Sequence, residues 1–151
     1  MTIRPASPDD VDVMCRIIGR HASEGLMLPR SKSGLLTALQ HYLVADVDGN
    51  VVGCGGLQPY SAASAEIYGL ATAPGESPRG TGSAIVQELI RKARAHNLSK
   101  VFALTLAPEF FRKLGFRVVE HHELPLKVWT DCVACPKFGH CDEIAMVLDL
   151  F

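Results

Sequence analysis

Two stretches of this chain carry residues at spacings that could do chemistry. "TAPGESPRGTGSAIV", residues 72–86, ends in a glycine turn at Gly80 and Gly82 that runs into an amphipathic helix. The first turn of a helix leaves backbone N–H groups unpaired at the positive end of the helix dipole, where a phosphate or pyrophosphate can be held. Glycines there let the backbone approach an anion with no intervening Cβ. A glycine turn is also a common plain strand-to-helix connection, so this stretch alone leaves both readings open. The second stretch is Cys132-x-x-Cys135, then His140 and Cys141, with His121 and His122 upstream. It could assemble a zinc site, yet only one pair has metal-ligand spacing and no fourth ligand is defined. The preferred reading is a cluster of reduced, packed thiols with no metal.

A loop of the first kind needs a strand before it and a helix after it, and the patterning supplies both. "TIRPA" reads as an opening strand, and "SPDDVDVMCRIIGRHA" as a helix with Ser7 as cap, Pro8 in the first turn and Asp9 and Asp10 at the positive dipole end. Val11, Met14, Ile18 and Ala22 keep one helical face. "GLLTALQHY" offers a second, shorter helix. "YLVADVDGNVVGCGGLQPY" reads as a hairpin around Asp48-Gly49-Asn50, and "AEIYGLATA" as the strand that leads into the loop. From Gly82 to Asn97, Ala84, Ile85, Leu89 and Ala93 form an apolar stripe. "KVFALTL" is a buried strand, "PEFFRKLG" a brief helix, and "FRVV" and "EIAMVLDLF" the last two strands. The order β-α-α-β-β-β-α-β-α-β-β predicts an α/β (α+β) domain, a mixed and mostly antiparallel sheet flanked by helices.

Composition narrows the function classes. At 151 residues, one domain over 1–151 is expected, and 48% hydrophobic residues suffice for a core. The net charge is −1 with no basic run, which argues against a nucleic-acid partner and favours a small molecule. No apolar stretch is long enough to span a bilayer, and "MTIRPASPDD" does not read as a signal peptide, so a cytoplasmic location is expected. Cys15 and Cys54 lie in apolar patterns and read as small core residues.

"AEIYGLATAPGESPRGTGSAIVQELI" followed by "KVFALTLAPEFFRKLGFRVV" resembles the core of the GNAT acyltransferase superfamily. The resemblance implies a GNAT fold with acetyl-CoA as co-substrate, its pyrophosphate on a Q/R-x-x-G-x-G/A loop. Gly80 and Gly82 match the two glycines; Ser77 stands at the Q/R position and Pro78 at the glycine after it. Backbone amides therefore carry most of the grip, with Arg79 adding positive charge. The implied cofactor site runs from Leu70, Ala71 and Thr72 through Ser77 and Arg79 to Gly80, Thr81, Gly82 and Ser83. The later F-[YF]-x-x-x-G-F segment adds Phe111 near the thioester.

"HASEGLMLPRS", "VVGCGGL" and the tail "LPLKVWTDCVACPKFGHCDEIAMVLDL" further resemble the short, single-domain N-acetylglutamate synthases of bacterial arginine biosynthesis. The implied reaction is acetylation of the α-amino group of L-glutamate, with no amino-acid-kinase domain and a possible homodimer. Glu66 is then the candidate general base, acting through water; a carboxylate suits this if partial burial raises its pKa. A backbone N–H near Leu70 or Ala71 polarises the carbonyl, and Gly69 fits a local irregularity in that strand. Phe111 stands where many relatives have a proton-donating Tyr, and a phenyl ring cannot donate. Unassisted departure of a thiolate, whose thiol pKa is about 8.5, is preferred over a donor such as Tyr60 or Tyr68. Arg30 and Lys127 are the expected partners of the glutamate carboxylates. Two rivals remain: a GNAT enzyme for another amine (glutamine, a polyamine, a peptide N-terminus) and a non-catalytic sensor of CoA or an amino acid.

Overall fold

The computed structural model describes residues 1–124 and 143–151. Among these, the elements follow the predicted order: β1 (Thr2–Pro5), α1 (Val11–Ser23), α2 (Lys32–Thr37), β2 (Tyr42–Val47), β3 (Asn50–Pro59), β4 (Ser64–Thr72), α3 (Thr81–Ala95), β5 (Lys100–Thr105), α4 (Pro108–Lys113), β6 (Arg117–Val119) and β7 (Ile144–Asp149). The strands form one sheet in the order β1-β2-β3-β4-β5-β7-β6. Among the described residues only the β4–β5 pairing is parallel. The result is a mixed seven-stranded sheet flanked by helices, the architecture that the resemblance implies.

Local chemistry explains the boundaries. Asp10 accepts from the Ser7 amide at 2.8 Å and grips Arg4 through two hydrogen bonds of 2.8 and 3.0 Å, so the start of α1 is tied to β1. Arg4 also reaches Asp46 of β2 at 3.1 Å. The second helix starts earlier than the apolar pattern suggests, because the Ser31 hydroxyl accepts from the Gly34 amide and caps it. It stops at Thr37, and a 3₁₀ turn at Leu39–His41 leads into β2. The hairpin turn is the pair Asp48-Gly49, both at positive φ, with Asn50 already in β3.

Each face of the sheet carries its own core. On one, Ile85, Val86, Leu89, Ile90 and Ala93 of α3 pack on Ala45, Val52, Ala65 and Ile67. Gly53 and Gly55 let α3 lie close: a Cβ on Gly55 would sit 2.8 Å from the Ile85 side chain. On the other face Val11, Met14, Ile17 and Ile18 of α1 cover Tyr42, Val44 and Cys54. Burial pushes the Cys54 thiol up to about 12, which leaves it unreactive at neutral pH. Cys15 packs at the edge of that core. It is half-buried, and its thiol donates to the Arg30 carbonyl at 3.3 Å.

Candidate active site

The site grows from an interruption in the sheet. Strands β4 and β5 pair at Ser64–Lys100, Ala65–Val101 and Glu66–Phe102, and there the ladder ends. Residues 67–72 of β4 run on beside β3 with no β5 partner, so the two strands open into a cleft. A bulge bends β4 inside that stretch: three steps from Tyr68 to Ala71 oppose two steps from Gly56 to Cys54. Gly69 sits in the bulge at φ +61, as the sequence suggested. It has a second constraint, since a Cβ there would meet the Tyr42 hydroxyl at 2.6 Å.

Ladder parity fixes which backbone groups face the cleft. The Ala73 amide donates to Val52 of β3 at 2.8 Å. Hydrogen-bonding direction alternates along an antiparallel strand, so Thr72 turns its N–H and C=O away from β3 toward the open side.

The loop that follows β4 reaches α3 through Gly80, which caps the helix at φ +87. Among the described residues no carbonyl accepts from the amides of Gly80, Gly82 or Ser83. These are the unpaired first-turn donors that an anion can use. A Cβ on Gly82 would lie 3.4 Å from the Phe110 ring, in ordinary contact, so the helix start lies beside α4. Arg79 is exposed beside these amides. Ser77 and Thr81 serve the loop itself: the Ser77 hydroxyl donates to Ala73 at 2.9 Å, and the buried Thr81 hydroxyl donates to Pro78 at 2.6 Å. Phe111 is 5% exposed, edge-on to Phe110 and Phe116 in the α3-side core.

Across the sheet lies the polar group. The Tyr60 phenol donates to Glu66 Oε1 at 3.1 Å, and Glu66 is half-buried. Two residues along β4, Tyr68 presents its ring to Arg30, whose guanidinium carbon is 5.2 Å from the ring centre. The Arg30 Nε is buried and has no hydrogen-bond partner among the described residues. Burial raises the Tyr68 pKa; the Arg30 cation pulls it partly back and the Glu66 carboxylate pushes it up. Tyr68 is therefore protonated at neutral pH.

The structure thus brings Glu66, Tyr60, Tyr68 and Arg30 to one face, beside a cleft whose far end is the Gly80–Ser83 turn. Lys127, Cys132, Cys135, His140 and Cys141 lie outside the described residues, and among the described ones no cluster of His, Cys, Asp or Glu could hold a metal. No described helix is long and apolar enough to cross a membrane. Sequence reasoning missed Tyr42 under Gly69, Phe110 against Gly82, and His21, whose Nε2 lies 2.8 Å from the Thr72 carbonyl. Nothing in their local patterns marks them; each acts on an element distant in sequence.

Residues 20–116 match the acetyltransferase (GNAT) family. An uncharacterized N-acetyltransferase of Chlorobaculum tepidum is 36% identical over 148 residues, spanning 98% of this chain and 96% of that protein. The amino-acid acetyltransferase of Mycobacterium tuberculosis is 32% identical over 98% of this chain and 84% of its own length. The crystal structure of N-acetylglutamate synthase from Neisseria gonorrhoeae, complexed with coenzyme A and N-acetyl-glutamate, matches with a TM-score of 0.90 at 28% identity. It is covered over 99% of this chain, which spans 35% of that larger one. With its opened strands, bulged β4 and glycine-capped α3, the chain belongs to the GNAT acetyltransferase family, an N-acetyltransferase that draws on acetyl-CoA.

Proposed function

We propose that this enzyme acetylates the α-amino group of L-glutamate. The observation that carries the reading is Arg30: a half-buried guanidinium over the Tyr68 ring, its Nε without a partner among the described residues, on the same face as Glu66. Such a cation suits a carboxylate of the acceptor, and Lys127 is the proposed partner of the second carboxylate. The likeness to amino-acid acetyltransferases over nearly the whole chain supports the same substrate class.

Acetyl-CoA supplies an acetyl group already activated as a thioester. The unpaired amides of Gly80, Gly82 and Ser83, with Arg79 beside them, suit its pyrophosphate. The amide of Leu70 or Ala71, at the bulged stretch of β4 that has no β5 partner, is the proposed donor to the carbonyl oxygen. Attack needs a neutral amine, and Glu66 accepts its proton through water. The Tyr60 hydrogen bond holds that carboxylate in place. Phe111 offers no proton, so the thiolate takes one from solvent.

Thiol release from acetyl-CoA measured across amino acids tests the proposal. Release that depends on L-glutamate supports it; release with glutamine, a polyamine or a peptide N-terminus in its place overturns the substrate assignment.

A further inference from the structure

The β4 terminus is held from a distance. Thr72 faces the cleft side, where β5 no longer runs, so its carbonyl has no strand to accept from. The imidazole of His21, in the last turn of α1 and 51 residues away in sequence, meets that carbonyl at 2.8 Å. A carbonyl can only accept, so His21 Nε2 carries the proton and donates it. The bond persists on protonation of the ring, because both nitrogens then carry hydrogens. His21 itself is fixed at its backbone: its carbonyl accepts from Glu24 and Leu26.

We propose that His21 is a positioning residue for acetyl-CoA binding, acting through Thr72. This rests on the reading that the β4–α3 loop seats the pyrophosphate. Two effects follow from the geometry. The hydrogen bond pins the last residue of β4, one step before the loop begins at Ala73, and so fixes where the loop leaves the sheet. It also engages the lone pairs of a carbonyl that would otherwise turn partial negative charge toward an anionic ligand. What remains on the cleft side of Thr72 is its N–H, of the same sign as the amides of Gly82 and Ser83. An α1 side chain thus biases the end of β4 toward anion binding.

The test is steady-state kinetics with calorimetric CoA binding on the full chain, for His21→Ala, His21→Gln and, as a control of the loop itself, Gly80→Ala. Loss of one hydrogen bond should raise the acetyl-CoA KM and the CoA Kd of His21→Ala by about fivefold to tenfold, with kcat at saturation unchanged. His21→Gln places an amide N–H near the same point and should restore most of the affinity. Wild-type CoA affinity in His21→Ala, or a Gln variant as weak as the Ala variant, overturns the proposal. If Gly80→Ala weakens CoA and His21→Ala does not, the loop reading stands and His21 falls. If neither weakens CoA, both fall.

Discussion

Tyr60 and Glu66 are joined across the β3–β4 connection: the phenol donates to Oε1 at 3.1 Å. Tyr60 lies against Phe102, the β5 residue level with Glu66 at the last rung of the β4–β5 ladder. The carboxylate is therefore placed where the cleft opens, by groups from two sides.

This arrangement makes Glu66 the proposed base and Tyr60 its support. Glu66→Gln should lower kcat by about 10²–10⁴-fold with CoA affinity unchanged, since a positioned base contributes on that scale. Tyr60→Phe should give a smaller loss with the same pattern. Equal turnover in Glu66→Gln and wild type would discard the assignment; rates and CoA binding on both variants decide it.

The Arg30 guanidinium lies over the Tyr68 ring, 5.2 Å from its centre, and its planar fork suits a carboxylate better than an ammonium does. Arg30→Ala is expected to raise the glutamate KM by about tenfold or more, in line with loss of a charge-assisted hydrogen bond. Arg30→Lys should recover only part of this, and the acetyl-CoA KM should not move. Lys127→Ala should act on glutamate in the same way. A KM for glutamate that stays at the wild-type value in both alanine variants would end the carboxylate assignment.

Gly80 and Ser77 can be separated by CoA titration. Gly80 holds φ +87, where an L-residue costs about 1–2 kcal/mol, so Gly80→Ala should move the helix start and weaken CoA. Ser77→Ala removes a hydrogen bond within the loop and should reduce stability by about 1 kcal/mol with little change in affinity. A larger affinity loss in Ser77→Ala than in Gly80→Ala would reverse the ranking.

The bulge makes a stability prediction. Gly69→Ala adds a Cβ 2.6 Å from the Tyr42 hydroxyl at a positive φ, and unfolding should show a loss of about 2–4 kcal/mol. Tyr42→Phe removes the clashing oxygen, so the double variant should recover part of that loss. Strict additivity of the two changes would show that the hydroxyl is not the obstacle.

Asp10 should govern stability in acid. Its hydrogen bond to Arg4, foremost among several contacts, lowers its folded pKa below the ordinary 3.8. A lowered folded pKa means that the contribution is complete above the unfolded value and is lost as pH falls through the folded one. At neutral pH Asp10→Asn should cost about 2 kcal/mol, the scale of a hydrogen bond to a charged group. The gap between variant and wild type in urea unfolding should narrow below about pH 4, where the unfolded carboxylate protonates. A gap that stays constant down to acid would rule out the ion pair as its source.

What the sequence determined by itself was the order of elements and the position of the loop. Periodicity of apolar residues, the Ser7–Asp10 turn before α1, the Asp48-Gly49 turn and the glycines before α3 are local signals, carried within a few residues of where they act. Glu66 and Arg30 became candidates through family resemblance, not through any pattern of their own. Only the tertiary structure decided which backbone groups face the cleft, because that depends on where the β4–β5 ladder stops and on the parity of the β3–β4 ladder. It also decided that Tyr60 holds Glu66 and that His21 reaches Thr72 from another layer. Those contacts join residues that share no local period, so composition and spacing could not encode them; packing of two helical layers on one sheet creates them.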